Sequence, residues 1–90
     1  MWEIVYSGKF KKDLKKYKNQ KDKIEALQNV LLQLQENGMV DDEYNPHALI
    51  GNFKGLLECH IQNDFLLIWS DESEHKICLI RLGSHSELFK

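Results

Sequence analysis

Three apolar runs in the second half of the chain constrain its fold more than any other feature. They occupy residues 55–61, 65–69 and 76–83, and two short polar segments, Gln62–Asp64 and Asp71–His75, separate them. Apolar runs of this length between polar turn residues are typical of β-strands. The separators are short enough for hairpins, which implies that neighbouring strands are antiparallel. The pattern therefore predicts a three-stranded antiparallel meander.

The first half of the chain predicts one strand and two helices. Residues 2–6 are apolar and aromatic enough for a short strand, and Ser7 then offers an N-cap oxygen to a helix. The apolar stripe of this first helix consists of Phe10, Leu14 and Tyr17. A second and longer stripe ends where Asn37–Gly38 supplies a left-handed C-cap, and it consists of Ile24, Leu27, Val30, Leu31 and Leu34. We expect an α+β fold in which the N-terminal strand, a helix hairpin and the meander complete a four-stranded sheet.

Length and composition favour one globular domain, residues 1–90. Ninety residues bury enough apolar surface for one core but not for two, and a hydrophobic content of 42% is that of a folded protein. Residues 39–53 have no period and predict a long loop, which in a small domain is often functional. Ser84 and Glu87 have the spacing of a capping box and predict a final helical turn.

The remaining compositional features concern the cellular setting. Cys59 and Cys78 lie inside apolar runs, which favours two reduced core thiols over a disulfide. The chain has neither a basic leader before an apolar stretch nor an apolar run of roughly 18 residues, so we expect no membrane association and a cytoplasmic location.

Lysines are concentrated in one segment. The net charge of −2 by itself argues against nucleic-acid binding, because phosphate contacts usually leave such domains basic. Residues 8–23, however, hold eight lysines and only two aspartates, while the remainder of the chain is acidic. This basic face can hold a polyanion, and a solvated helix face is the alternative interpretation.

The first meander strand separates polar from apolar side chains. Because side chains alternate along a strand, Glu58 and His60 point to one face, opposite Leu57, Cys59 and Ile61. Asp64 follows in the turn, close to His60. His85 falls just beyond the last strand, where Arg81 and Gly83 share one side. Three strand ends can thus converge on one site.

Histidines, carboxylates and an arginine in one place suit acid–base cleavage of RNA. A base takes the 2′-OH proton, an acid protonates the leaving 5′-oxygen, and a cation stabilises the phosphorane. Histidine suits both transfers because its pKa lies near neutrality. Metal binding is the alternative, but the linear spacing matches no established zinc pattern, so we expect no metal and no other cofactor. His75, in an acidic turn, is assigned to the surface.

Four segments carry a family resemblance. They are residues 46–51 (PHALIG), 54–61 (KGLLECHI), 64–69 (DFLLIW) and 81–89 (RLGSHSELF). Together, and in this order, they closely resemble the YafQ-type toxins of the RelE/ParE superfamily over about half of the chain. The strand, helix hairpin and sheet predicted above agree with the RelE-like fold of that family.

The resemblance implies the toxin of a type II toxin–antitoxin system. Such a toxin is a ribosome-dependent endoribonuclease that enters the A site and cuts mRNA without a metal, which leaves a 2′,3′-cyclic phosphate and a 5′-hydroxyl. On this pattern His47 and His85 are the acid–base histidines, in an order the sequence leaves open, and His60 and Asp64 orient or charge them. Glu58 stands where relatives usually have aspartate.

The resemblance also implies contacts with substrate. Arg81 is a phosphate clamp whose fork matches two phosphate oxygens, although it could simply pair with a surface acid. Phe89 supports or stacks on a base, or else is a core plug. Glu58 and Lys54 complete the substrate-binding set. Since the chain has one arginine, ribosome affinity would depend on lysines of the first helix, namely Lys9, Lys11, Lys12, Lys15 and Lys16.

The expected partners are a cognate antitoxin, mRNA on the ribosome, and operator DNA reached only through the antitoxin. Two other functions stay open on the same fold. One is a ParE-like inhibitor of gyrase, and the other is an inactive protein that binds the antitoxin as a co-repressor. Departures from the family pattern at Leu82, Asn63 and Phe65 remove no proposed catalytic group.

Overall fold

The structure, a computed structural model, describes residues 1–89. Its strands are β1 (Glu3–Tyr6), β2 (His47–Ala48), β3 (Leu57–Gln62), β4 (Phe65–Ser73) and β5 (Lys76–Gly83). Its α-helices are α1 (Gly8–Tyr17), α2 (Lys21–Asn37) and α3 (His85–Leu88), and two single 3₁₀ turns lie at Asp42–Tyr44 and Gly51–Phe53.

The sheet is built around the predicted meander. Its strands lie in the order β1-β5-β4-β3-β2, with β1 parallel to β5 and every other pair antiparallel. The meander is confirmed, and β4 extends further than expected, to Ser73, because its polar end still pairs with β5. Parallel neighbouring strands need a long connection between them. The helices α1 and α2, which follow β1 in the chain, are part of the connection to β5.

The expected count of four strands is wrong, because the sheet has five. The additional strand is β2, in which His47 pairs with Glu58 and Ala48 pairs with Leu57. Two residues carry no recognisable period, so the pairing depends on the β3 edge rather than on local sequence. This strand brings His47 beside the meander and divides the long loop that the sequence predicts.

The predicted N-cap of α1 and the predicted C-cap of α2 are both confirmed. The Ser7 side chain accepts a hydrogen bond from Phe10 N at the start of α1. Gly38 closes α2 at φ +73, and a Cβ at this position would lie 2.5 Å from the Trp2 ring. Glycine is therefore needed both for the left-handed cap and for the close approach of the N-terminal strand.

The sheet has an apolar cluster on each face. The helices cover the larger cluster, which includes Phe10, Leu27 and Trp69. A smaller cluster of Leu66, Ile68 and Leu88 lies on the opposite face, beneath α3. The alternation predicted for β3 is confirmed, because its apolar side chains join the larger cluster. Its polar side chains therefore share the face of the smaller cluster.

Two further expectations concern the cellular setting. Cys59 and Cys78 are both free thiols, but only Cys59 is buried in the core as predicted, and Cys78 is partly buried. None of the helices within residues 1–89 is long and apolar enough to cross a bilayer.

Candidate active site

Three imidazole rings lie in a row on the face of the smaller cluster. His47 comes from β2, His60 from β3 and His85 from the first residue of α3. The ring centroids of His47 and His60 are 6.0 Å apart, and those of His60 and His85 are 5.8 Å apart. The fold thus brings together histidines separated by up to 38 residues, in agreement with the predicted convergence of strand ends.

Cross-strand pairing places His47 directly against Glu58. Its Nδ1 lies 2.8 Å from the carbonyl oxygen of Asn45, and its Nε2 lies 3.1 Å from Glu58 Oε1. Both partners are acceptors when the carboxyl is ionised, so both contacts are satisfied only if both ring nitrogens carry a proton. The geometry therefore suits an imidazolium at His47.

Glu58 is the buried carboxylate of the site, with only 3% of its surface exposed. Oε1 also lies 3.9 Å from His60 Nε2, and Oε2 has no hydrogen-bond partner among residues 1–89. A buried carboxylate is costly unless it is paired, and Oε1 of Glu58 has two imidazole nitrogens beside it. The sequence predicted the face on which Glu58 lies but gave no indication of its burial.

Asp64 and His85 form a second carboxylate–imidazole pair. Asp64 Oδ1 accepts a hydrogen bond of 2.9 Å from the backbone N of His85 and lies 2.8 Å from its Nδ1. The bond from the His85 backbone, then that from its ring, lowers the pKa of Asp64. An ionised Asp64 accepts a hydrogen bond from the Nδ1–H of His85, which leaves Nε2 of His85 available for proton transfer. The side chain of His85 is 57% exposed, so substrate can reach it.

Arg81 lies away from the histidine row. Arg81 pairs with Ile68, which in turn pairs with Glu58, so its backbone lies two strands, or about 10 Å, from that of Glu58. Its Nε and Nη2 donate to Asp13 at 2.7 and 3.2 Å. Asp13 therefore accepts hydrogen bonds from the two guanidinium nitrogens that were expected to bind phosphate. This agrees with the alternative interpretation, in which Arg81 pairs with an acid. The acid is buried, however, rather than on the surface.

Lysines of α1 and the free side of Arg81 line a hollow of about 340 Å³. Its lining consists of Lys9, Lys12, Lys16, Asp13 and Arg81. Lys11 and Lys15 are also exposed but lie outside this hollow. Three of these five lysines thus line one concave surface, and the other two do not.

Phe89 has features of both interpretations that the sequence leaves open. It packs against the smaller apolar cluster, and its ring centroid lies 6.3 Å from that of His85. It also meets Phe53 edge-on at 5.1 Å, and Phe53 is 38% exposed. Lys54, next to Phe53, is exposed. Sequence reasoning missed Phe53, because it lies in a loop with no period, and it missed the role of Asp13.

His75 lies outside the site, as the sequence predicts. It occupies the exposed β4–β5 turn at φ +64, where its ring meets Trp2 edge-on.

Three groups of the site have the donors that a divalent metal prefers. One ligand atom from each of His47, Glu58 and His60 lies within 4.8 Å of the others. Linear spacing did not indicate this set, because the β2–β3 pairing creates it. The orphaned Oε2 of Glu58 adds an unused acceptor, so these residues fit a metal such as zinc or copper.

Comparisons with known proteins identify the family. The family described as "Bacterial toxin of type II toxin-antitoxin system, YafQ" matches residues 2–90. The mRNA interferase toxin YafQ of Escherichia coli K12 is 28% identical over 88 residues, which cover 97% of this chain and 95% of that protein.

Solved structures of similar toxins agree with this assignment. A metal-bound toxin from Helicobacter pylori is 38% identical, with a TM-score of 0.86 and coverage of 99% of this chain and 100% of that one. The toxin of the E. coli DinJ–YafQ toxin–antitoxin complex is 28% identical, with a TM-score of 0.85 and coverage of 99% and 98%. The resemblance drawn from four sequence segments is confirmed, and the chain belongs to the YafQ family of bacterial toxins of type II toxin–antitoxin systems.

Proposed function

We propose that this protein is an endoribonuclease that cuts mRNA on the ribosome and so inhibits translation. The observation that carries the proposal is the row of three imidazoles, flanked by Glu58 and Asp64, on an accessible face of the sheet. The E. coli relatives are named mRNA interferase toxins, which supports the same activity. A gyrase inhibitor would not need this set of proton-transfer groups.

The proposed reaction is an internal transesterification. A basic imidazole takes the proton of a ribose 2′-OH, and the resulting oxygen attacks the adjacent phosphorus. The bond between phosphorus and the 5′-oxygen breaks, and an acidic imidazolium gives that oxygen a proton. The products are a 2′,3′-cyclic phosphate and a 5′-hydroxyl, and side chains supply every proton transfer.

The two carboxylates contact different nitrogen atoms of His47 and His85, the histidines at the two ends of the row. Asp64 holds Nδ1 of His85 and leaves Nε2 free to act as base or acid. Glu58 and the Asn45 carbonyl suit an imidazolium at His47, which can donate a proton or stabilise the phosphorane. His60 lies between the two, with its Nε2 3.9 Å from Glu58 Oε1.

Substrate contacts beyond the histidines belong to three surfaces. The hollow of Lys9, Lys12, Lys16 and Arg81 suits the RNA backbone, and there Arg81 would use Nη1, the one nitrogen that does not donate to Asp13. Lys11 and Lys15 would extend this contact over α1. Phe89, next to His85, offers an aromatic ring to a nucleobase, and Lys54 lies at the same edge.

The proposed partner is an antitoxin encoded beside this protein. The toxin–antitoxin complex of the similar E. coli protein supports it. Operator DNA would be bound only through that antitoxin. Antitoxin binding and mRNA cleavage would both take place in the cytoplasm, where ribosomes translate.

The deciding experiment maps mRNA 5′ ends after the protein is induced in cells and after it is added to a purified translation system with or without ribosomes. We expect cuts that carry 5′-hydroxyl ends and need ribosomes. His85→Ala should abolish them and relieve growth arrest while the protein stays folded, because His85 is exposed. Arrest with collapsed DNA supercoiling and no cut would favour gyrase inhibition, and no arrest would favour the co-repressor.

We propose metal binding as a second property of the same groups. His47, Glu58 and His60 would hold the ion, as their close donors and the unpartnered Glu58 oxygen suggest. The similar toxins from Helicobacter pylori, one metal-bound and one a copper-bound mutant, support this chemistry. An ion there would take imidazole lone pairs that proton transfer requires, so we expect it to inhibit cleavage.

A further inference from the structure

A hydrogen-bonded carboxylate joins the basic helix α1 to the turn that carries His85. Glu87 Oε1 accepts hydrogen bonds from the Tyr17 hydroxyl and, at 2.8 Å, from the backbone N of Ser84. Glu87 Oε2 lies 3.9 Å from Lys16 Nζ. Tyr17 is the last residue of α1 and is 70 positions away from Glu87 in sequence. One side chain of α3 is thus held from its own N-cap and from a distant helix.

The short helix α3 depends on such contacts for its position. It has four residues, and an isolated helix of this length is not stable in water. Ser84 and Glu87 form a complete capping box, which satisfies backbone donors at its start. A Cβ at Gly83 would lie 2.7 Å from Glu87 Oε1, so glycine is required for the carboxylate to approach the chain this closely. Glu87 is therefore one of the contacts that set the orientation of α3, together with the buried Leu88.

His85 is the residue most sensitive to that orientation. It is the first residue of α3, and both its backbone N and its ring Nδ1 contact the same oxygen, Asp64 Oδ1. A rotation or shift of α3 would separate both groups from Asp64 at once. Asp64 lies in the β3–β4 turn, so α3 is anchored on one side by Asp64 and on the other by Tyr17 through Glu87.

We propose that Tyr17 and Glu87 are positioning residues that hold the imidazole of His85 on Asp64 and thereby set the rate of RNA cleavage. The effect on rate rests on the proposed nuclease function, while the effect on His85 geometry does not. Neither residue touches the histidine row, so both act through α3.

The protonation states of the pair agree with this geometry. Burial, followed by the hydrogen bond to Glu87, raises the pKa of Tyr17, and the hydrogen bond from Tyr17 is the main cause that lowers the pKa of Glu87. Near neutral pH the phenol is therefore a donor and the carboxylate an acceptor. Tyr17 is buried against Phe65, so its ring is fixed while its hydroxyl reaches α3.

The test replaces the hydroxyl alone and measures His85 directly. In Tyr17→Phe we expect the ¹⁵N resonance of His85 Nδ1 to shift toward that of a ring without its carboxylate partner. We expect kcat for cleavage of mRNA on programmed ribosomes to fall about tenfold, with KM within about twofold of wild type, because misplacing a reacting group affects chemistry more than binding. Tyr6→Phe is the matched control, since Tyr6 is half-exposed and makes an edge contact with Phe10 instead.

Two variants of Glu87 separate positioning from simple stabilisation. Glu87→Gln keeps an oxygen that can accept from Tyr17 and Ser84, so it should retain the His85 resonance and most of kcat. Glu87→Ala should reproduce the defect of Tyr17→Phe. If Tyr17→Phe lowers the melting temperature but leaves kcat and the His85 resonance unchanged, the contact only stabilises the fold and the proposal is overturned.

The resonance also distinguishes this proposal from the proposed function. If the wild-type protein cuts no RNA, the nuclease function fails, yet a shifted His85 resonance in Tyr17→Phe still supports the positioning of His85. An unshifted resonance overturns the positioning whether or not the protein is a nuclease.

Discussion

Removing the buried carboxylate of Asp13 tests whether Arg81 is held by this residue or is free to bind phosphate. Asp13 is 5% exposed and accepts three hydrogen bonds, from Arg81 Nε at 2.7 Å, Arg81 Nη2 at 3.2 Å and Leu82 N at 3.0 Å. In Asp13→Ala the Leu82 N–H loses its acceptor in a buried place, which costs about 1–3 kcal/mol. The Arg81 side chain is 28% exposed and can recover part of its hydration, so its two bonds add less than their full value.

We therefore expect Asp13→Ala to lower the free energy of unfolding by about 3 kcal/mol, a large part of the total of a small domain. For a chain of this size the melting temperature would fall by about 12–24 °C. Denaturant unfolding, followed by tryptophan fluorescence, measures the change. Glu25→Ala is the control, because Glu25 is an exposed acid on α2 and its loss should alter stability by less than about 0.5 kcal/mol.

A double-mutant cycle with Arg81→Ala then isolates the pair. We expect a coupling free energy of about 2 kcal/mol, because the two side chains share two hydrogen bonds. A coupling near zero, together with a stability loss for Asp13→Ala as small as that of Glu25→Ala, would refute the reasoning. It would mean that Arg81 is free in solution to clamp phosphate, as the family resemblance implies.

Three further outcomes are expected at the histidine row. The Asp64 carboxyl should titrate below the ordinary pKa of about 3.9, so its contact with His85 persists above that pH and is lost as pH falls through the lower, folded value. A ¹³C titration measures this, and an ordinary midpoint in the wild-type protein would contradict the stated cause; His85→Ala removes the ring contact but keeps the backbone bond, so it should raise the midpoint only in part. Equimolar Zn²⁺ should inhibit cleavage, and EDTA should restore it. Glu58→Gln should weaken zinc binding. Undiminished cleavage by zinc-loaded protein would count against the metal site. Phe89→Ala and Phe89→Leu should both raise KM for ribosome-bound mRNA several-fold, because neither side chain has a ring to stack, and a KM in Phe89→Leu close to that of wild type would indicate a core plug.

Local sequence was sufficient for the elements that have their own periodicity or caps. The meander, the two helices, the Gly38 cap and the Ser84–Glu87 capping box all depend on residues within a few positions of each other. Strand parity likewise placed Glu58 and His60 on one face. The identity of the family followed from four ordered segments, while the central roles of His47 and His85 came from that resemblance and stay predictions.

Tertiary structure decided what depends on contacts between distant segments. The strand β2 is too short to have a period, so only the β3 edge shows that His47 lies against Glu58. The burial of Glu58 follows from the layers around it rather than from its neighbours in sequence. Arg81 turns to Asp13 and Tyr17 reaches Glu87 across 68 and 70 residues, respectively. Sequence therefore determined which groups are available and on which face of each element they lie. Packing decided which of them meet, because a hydrogen bond depends on distance in space and not on separation along the chain.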